Sequence, residues 1–308
     1  MTPLLSGHNR PIAQGRPFLL VNPRSGKQSP SADDLVSEAE RLGIEARLLR
    51  SDDNAAELAS VAADRGAHML GMAGGDGSLA PVAAVAIERD VPFVPIPFGT
   101  RNHFARDLGF DRDDPVAALE AFRGGERTVD VGAVGDRVFL NNVSLGLYAS
   151  LVHDPRHETK NRLVALGRIL PAAFGRSRRP LDLSFETEGG RERRRALVAL
   201  IANNRYELET IADLGERERL DDGLLHAYVI EAAERRTLLA LLVRAATGRL
   251  DRARGLEERA APGFRIESEH PRIHAAIDGE PATLPTPLEF EIKPGALRVL
   301  VPPTGLDR

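Results

Sequence analysis

Gly74-Gly75-Asp76-Gly77-Ser78 follows an apolar run, Ala67–Ala73 (AHMLGMA), and precedes a helical pattern, Leu79–Glu88 (LAPVAAVAIE). The order is strand, glycine turn, helix. Such a turn lets the backbone approach a bound group closely, because glycine has no Cβ. The helix behind it aims unpaired N–H groups and the positive end of its dipole at whatever sits there, and phosphate is the usual guest. Asp76 places a carboxylate where an anion is otherwise favoured. A divalent cation bridging it to phosphate would explain the residue. Simple capping of the turn would explain it too.

Working outward, the same alternation extends to both sides. Pro17–Val21 (PFLLV) reads as a buried strand that runs into the loop Asn22-Pro23-Arg24-Ser25-Gly26-Lys27. Ala32–Leu42 carries apolar residues at helical spacing and stops at Gly43. Ile44–Leu49 is a second strand, Asp53–Arg65 a second helix, and Val91–Ile96 a fourth strand whose prolines imply irregular pairing. The β-α-β-α-β-α order predicts a parallel sheet covered by helices, with ligands at the carboxyl ends of the strands. The loops at 22–27 and 74–78 both fall at such ends. So does the third loop, Pro97–Gly109, in which Thr100, Arg101 and Asn102 offer a hydroxyl, a guanidinium and an amide. Thr100 or Asn102 could equally cap the helix that follows. Asp114–Arg123 begins with Asp and Pro115, as a helix start does.

From about Thr128 the texture changes to short strands separated by turns. Expected strands include Thr128–Val134, Arg137–Ser144, Gly223–Glu231, Ile273–Asp278, Leu288–Ile292 and Ala296–Val301. Helical inserts are expected within Glu158–Phe174 and Ala233–Leu250. The expected fold is an N-terminal α/β nucleotide-binding domain with a parallel sheet, then a mainly antiparallel β-sandwich domain. The expected division is a leader at 1–16, the α/β domain at 17–127, the β domain at 128–301 and a tail at 302–308.

The chain has 308 residues, enough for one large or two moderate domains. Its net charge of −4 gives no electrostatic case for nucleic acid as the main partner. It has no cysteine, which removes disulfides and thiolate metal sites. The N-terminus lacks a basic segment followed by an apolar one, and no apolar run reaches the ~18–20 residues that span a bilayer. A cytoplasmic protein, peripheral to the membrane at most, is the expectation.

Two further motifs lie in the second half. Asp278-Gly279-Glu280 follows the expected strand at Ile273. Asp-Gly is a strong hairpin signal, and the pair of carboxylates also suits a general base with a second acid near a metal. Asp221-Asp222-Gly223 is a hairpin turn or an acidic cation site completed by carbonyls. The arginine-dense stretch Arg168–Arg195 reads as a solvated face, with anionic lipid head groups as the alternative. The eight histidines show no metal spacing, and Gly-x-Ser-x-Gly is absent. The loop at 22–27 lacks full Walker spacing, and no Gly-x-Gly-x-x-Gly follows the first strand, so neither a conventional P-loop enzyme nor a nicotinamide oxidoreductase is supported.

Taken together, Asn22–Gly26, Gly74–Ser78, Pro97–Gly109, Asn142–Gly146, Leu220–Leu224 and Asp278–Glu280 resemble, in order, the motifs of the diacylglycerol kinase catalytic-domain family, bacterial lipid kinases related to sphingosine kinases. The resemblance runs from about 17 to 301. It implies ATP and Mg²⁺ as cofactors, with ATP held by Asn22, Pro23, Ser25, Gly26, Gly74, Gly75, Asp76, Gly77, Ser78, Leu79, Ala80, Thr100 and Asn102, and Asp76 acting through Mg²⁺. It implies Glu280 as the base on a lipid hydroxyl with Asp278 beside it, and a second, structural Mg²⁺ on Asp222 with the carbonyls of Arg219 and Leu224. The implied acceptor is diacylglycerol, with transient contact to a membrane surface; a homodimer is left open. The sequence departs from the commoner pattern at three places: Ser78 stands where Thr is usual, Ala80 where Asn is frequent, and His103 where Asp is frequent. Another lipid, a soluble hydroxyl acceptor, and a non-catalytic nucleotide-binding regulator remain alternatives.

Overall fold

The computed structural model describes residues 15–25, 30–146, 181–187, 190–210, 213–231 and 256–302. The expected leader up to residue 14, the helical inserts and the arginines at 168–179 lie outside them.

The first half alternates as expected: β1 (Phe18–Val21), α1 (Ala32–Arg41), β2 (Glu45–Leu48), α2 (Ala55–Asp64), β3 (Leu70–Gly74), α3 (Asp76–Arg89), β4 (Phe93–Pro97), α4 (His103–Asp107) and α5 (Pro115–Ala118), the last running into a 3₁₀ turn. Both α1 and α2 have a local start signal. Ser31 and Asp34 form a capping box at α1, and the Asn54 side chain accepts from Ala56 N–H and Glu57 N–H at α2. The strands lie in the order β2-β1-β3-β4, all parallel, with Phe18 opposite Leu70 and Leu70 opposite Phe93. β1, β3 and β4 are buried along their whole length, which is why their sequences are continuous apolar runs rather than alternations. Leu19 and Leu20 are each fully buried, on opposite faces of β1, and contribute roughly 1.5–3 kcal/mol apiece.

The second half comprises β5 (Gly125–Val134), β6 (Arg137–Phe139), β7 (Asn142–Gly146), β8 (Leu181–Thr187), β9 (Gly190–Asn203), β10 (Leu208–Thr210), β11 (Asp213–Leu214), β12 (Leu225–Glu231), β13 (Leu256–Ala261), β14 (Gly263–Glu267), β15 (Arg272–Ile277), β16 (Glu280–Pro285) and β17 (Leu288–Val301). Its pairings with one another are all antiparallel. Its core is a separate apolar cluster that includes Phe139 and Phe290, which meet edge to face at 6.3 Å.

The two halves share strands. Leu288–Ile292 and Ala296–Val301 were expected as two strands broken at Pro294-Gly295. They form the single strand β17, with a register shift between Lys293 and Leu297. Asp130 stabilises that bulge by accepting from the Gly295 N–H at 2.8 Å. β17 then returns to the first half and pairs in parallel with β4 at Val299 and Phe93. That is the one register pair between them, so Pro95 and Pro97 owe no donor to a longer ladder on that side. Arg137–Ser144, expected as one strand, is likewise divided. The gap at Leu140–Asn141 belongs to the site described next.

Candidate active site

The glycine turn is tighter than a loop between two elements. Gly74 ends β3, Gly75 is the N-cap of α3, and Asp76 is already its first residue, so the helix begins three residues before the expected Leu79. Ser78 N–H donates to the Gly75 carbonyl at 2.9 Å. Asn22, at the end of β1, donates from its amide to Ser78 Oγ at 3.1 Å, which joins the first two loops. The third loop touches the turn backbone to backbone. A Cβ on Gly99 would lie 2.4 Å from Gly75 Cα, so position 99 needs glycine for this close approach.

Asp76 faces the third loop. Its Oδ2 accepts from His103 N–H at 3.1 Å, and its Oδ1 accepts from Phe104 N–H and from Asn141 Nδ2, both at 3.1 Å. The carboxylate thus serves the first turn of α4, whose own N-cap, Asn102, makes no side-chain cap bond. Asn102 instead closes its own loop: Gly99 N–H donates to its Oδ1 and its Nδ2 donates to the Gly99 carbonyl, both at 2.9 Å. It is 2% exposed. Both ends of its side-chain amide are thus satisfied inside the protein, and it shapes the loop that carries Thr100 and Arg101. The side chains of Leu79 and Ala80 are also in the core and do not face ligand. Pro23 is exposed beside the site, and Gly26 lies outside the described residues.

Asp278 and Gly279 form a two-residue hairpin between β15 and β16, with φ of 48° and 87°. The hairpin reading and the functional reading coexist. The Asp278 carboxylate is 7% exposed and accepts three consecutive backbone N–H groups: Leu140 at 2.9 Å, Asn141 at 2.8 Å and Asn142 at 3.0 Å. These bonds hold the chain between β6 and β7 out of the ladder. Burial pushes the carboxyl up to about 7; the three N–H groups pull it down, and the charge of Asp76 adds to the rise. Three of the roughly four lone pairs of this carboxylate are thus taken by the protein, and the residue still lines the cleft beside Glu280.

Glu280 points the other way. It is exposed and has no hydrogen-bond partner among the described residues. A Cβ built on Gly77 would fall 2.2 Å from Glu280 Cγ, so this carboxylate rests on the first turn of α3. Gly77→Ala is expected to displace Glu280 and lower turnover at least roughly tenfold, with the melting temperature close to wild type. Wild-type turnover in that variant would show that this contact does not matter.

These residues open onto one cleft of about 340 Å³. On one side lie Ser25, Gly75–Ser78, Thr100, Arg101 and His103; on the other lie Asn141, Asn142, Ser144, Asp278, Gly279 and Glu280, with an apolar wall of Val198, Leu200 and Ala276. The structure thus brings together the carboxyl ends of the parallel strands and the 278–280 hairpin, some two hundred residues apart in the chain. Arg101 is the one Lys or Arg lining it among the described residues. Burial lowers the His103 imidazole below its ordinary value; Arg106 and Arg101 push it down as well, while Asp76 and Asp107 oppose them. The net shift favours the neutral form of this imidazole.

Behind the cleft is a buried cluster that sequence reading missed. The Arg217 side chain is fully buried and donates to Asp107 Oδ2 (2.7 Å), the Leu140 carbonyl (2.7 Å), the Asn203 carbonyl (3.0 Å) and Asn141 Oδ1 (2.7 Å). Its guanidinium also lies over the rings of Phe104 and Tyr206, at 5.9 and 5.2 Å. Arg106 occupies the other oxygen of Asp107. A lone Arg in a polar loop gives no periodic signal.

The Asp222 loop is a separate place. Asp222 Oδ1 accepts from Asn204 Nδ2 (2.8 Å) and Leu224 N–H (2.9 Å), and its Oδ2 lies 3.1 Å from His226 Nε2. Burial alone would raise its pKa, but the bonds from His226, Asn204 and Leu224 bring it below the ordinary value. The Leu224 carbonyl accepts from Asn204 N–H, and Arg219 is exposed and paired with Asp221. An environment of N–H donors and an imidazole does not fit a hard cation. The second Mg²⁺ expected on Arg219, Asp222 and Leu224 is not supported by this arrangement. Instead, His226 bridges Asp222 and Glu258, 3.1 Å from each. Burial pulls the His226 pKa down, but the two carboxylates outweigh it and hold it above 6.5. A raised folded-state pKa stabilises fully below the unfolded value and is lost as pH rises through the folded one. His226→Gln is therefore expected to cost on the order of 1 kcal/mol at about pH 6, with the deficit shrinking towards alkaline pH. A deficit that grew with pH in denaturant titrations would refute the bridge.

The fold and cleft define a class, and comparison with known proteins agrees. Residues 16–134 match the diacylglycerol kinase catalytic domain, and residues 172–301 match the YegS C-terminal NAD kinase beta sandwich-like domain. The chain belongs to this lipid-kinase family. Among its relatives, a Pseudomonas aeruginosa (strain UCBPP-PA14) protein described as "Probable lipid kinase YegS-like" is 30% identical over 279 residues, covering 83% of this chain and 84% of that one. A protein from Mycobacterium tuberculosis (strain H37Rv) described as "Diacylglycerol kinase" is 26% identical and covers 94% of this chain and 96% of its own. In fold, the chain is similar to the crystal structure of a diacylglycerol kinase from Bacillus anthracis strain Sterne, with a TM-score of 0.66, 16% identity, and coverage of 94% and 98%. No helix among the described residues is long and apolar enough to cross a membrane.

Proposed function

We propose that this chain transfers the γ-phosphoryl group of ATP to the hydroxyl of diacylglycerol, forming phosphatidate. The observation that carries the reading is the placement of Glu280, a carboxylate without a hydrogen-bond partner among the described residues, resting against Gly77 at the N-terminus of α3. The free N–H groups of that turn and the helix dipole favour the phosphates there, with Ser25 and Thr100 on the neighbouring loops within the same cleft. Asp76 has one carboxylate lone pair left after its three donors, so it fits a contact with the magnesium of Mg-ATP, direct or through water. Bound magnesium would neutralise charge on the phosphates. Transfer of this kind depends on positioning and charge neutralisation more than on covalent help. Glu280 would take the proton from the attacking hydroxyl. Arg101 would add positive charge beside the phosphates, and the wall of Val198, Leu200 and Ala276 suits the apolar part of a lipid. Such an acceptor brings the cleft to a membrane surface. The M. tuberculosis relative's description favours diacylglycerol over other lipids.

The test is incubation of the protein with radiolabelled ATP and a total lipid extract, beside detergent-dispersed diacylglycerol and soluble hydroxyl acceptors. Labelled phosphatidate is the expected product. Label in another lipid would replace the acceptor, and label only in a soluble product would remove the lipid reading.

A further inference from the structure

We propose that Arg217 is a positioning residue for phosphoryl transfer: its guanidinium sets Asn141, whose side-chain amide binds Asp76 and whose backbone N–H binds Asp278 across the cleft. The assignment rests on the kinase reading above. Arg217 has no exposed side-chain surface, so it touches neither nucleotide nor acceptor. Whatever it does to the reaction, it does through another residue.

Asn141 is the residue it reaches that lines the cleft. Three contacts fix the Asn141 position. Its Oδ1 accepts from Arg217 Nη2 at 2.7 Å, its Nδ2 donates to Asp76 Oδ1 at 3.1 Å, and its backbone N–H donates to Asp278 Oδ1 at 2.8 Å. The two ends of the amide are not interchangeable here. A guanidinium has donors only, and an ionised carboxylate has acceptors only. Arg217 on one side and Asp76 on the other therefore select a single orientation. Among the described residues, Asn141 is the only side chain that donates to Asp76, and it comes from the opposite half of the molecule. Asn141 thus ties the α3 turn, through its side-chain amide, to the hairpin bearing Glu280, through its backbone N–H. The residue has to be arginine. A lysine could satisfy Asp107, but a point charge cannot also reach Asn141 and the carbonyls of Leu140 and Asn203 as the planar fork does.

The experiment compares wild type with Arg217→Lys, Asn141→Ala, their double variant, and Asn141→Asp, each in steady-state transfer with melting temperature recorded. Asn141→Asp keeps an acceptor for Arg217 but turns an oxygen on Asp76, so it disturbs the site without emptying the buried cluster. Arg217→Lys, Asn141→Ala and Asn141→Asp are each expected to lower kcat roughly ten- to a hundredfold, with a smaller change in KM for ATP. The double variant is expected to be no worse than the poorer single, because both changes remove one relay. If Arg217→Lys fails to fold, Asn141→Asp carries the test alone. Multiplying effects in the double variant, or full kcat in Asn141→Asp, overturns the assignment. Wild-type protein that labels no acceptor overturns the kinase reading and the assignment with it; an active wild type with unaffected variants overturns the assignment alone.

Discussion

Glu280→Gln is expected to lower kcat by about 10²–10⁴-fold while Mg-ATP affinity stays close to wild type. The size follows from the role proposed. A lipid hydroxyl is a poor nucleophile until its proton has somewhere to go, and an amide cannot accept it. The fold should not suffer, because Glu280 is exposed at the start of β16 and no other described side chain depends on its carboxylate. Nor should the phosphate site change shape, because glutamine keeps the contact with Gly77. The two measurements are separable: calorimetric titration with Mg-ATP reports the nucleotide end, and single-turnover transfer reports the proton step. Equal turnover in the variant would remove Glu280 as the base. Weakened ATP binding with an unchanged chemical step would make it a phosphate-side residue instead.

The sequence carried this much because glycine turns and a two-residue hairpin are local signals. Gly74–Ser78, Asn22 and Thr100 could be placed at strand ends from spacing alone, and the parallel order of β1 to β4 followed from apolar runs with helices between them. The misreadings share a cause. Arg137–Ser144 looked like one strand because the break at Leu140 is imposed by Asp278, far along the chain. Pro294-Gly295 looked like a turn because Asp130, which accepts from the Gly295 N–H and accommodates the bulge, is equally remote. Asn141 and Arg217 gave no signal at all, and Asp107 was marked only as part of the Pro97–Gly109 loop. Their roles exist only once three distant loops are packed, and a buried ion pair leaves no periodic trace in sequence.

Asp107→Ala is expected to destabilise the protein by about 3–5 kcal/mol, the cost typical of removing one partner of a buried ion pair. Set against the ~5–15 kcal/mol of a folded domain, this is a large fraction of the total. The loss arises less from the missing bond than from what it leaves: the guanidinium of Arg217, with no exposed surface and its paired carboxylate gone. The same reasoning predicts an asymmetry that unfolding curves and activity can separate. Replacing both buried charges with apolar residues, Asp107→Leu with Arg217→Met, removes the stranded charge and should recover part of the stability lost in Asp107→Ala. It should not recover transfer, because Asn141 Oδ1 then has no donor and nothing selects the orientation that its amide presents to Asp76. A double variant that regained both would show that the pair serves stability alone. One that regained stability and stayed slow would place the value of this buried charge in the geometry of the cleft.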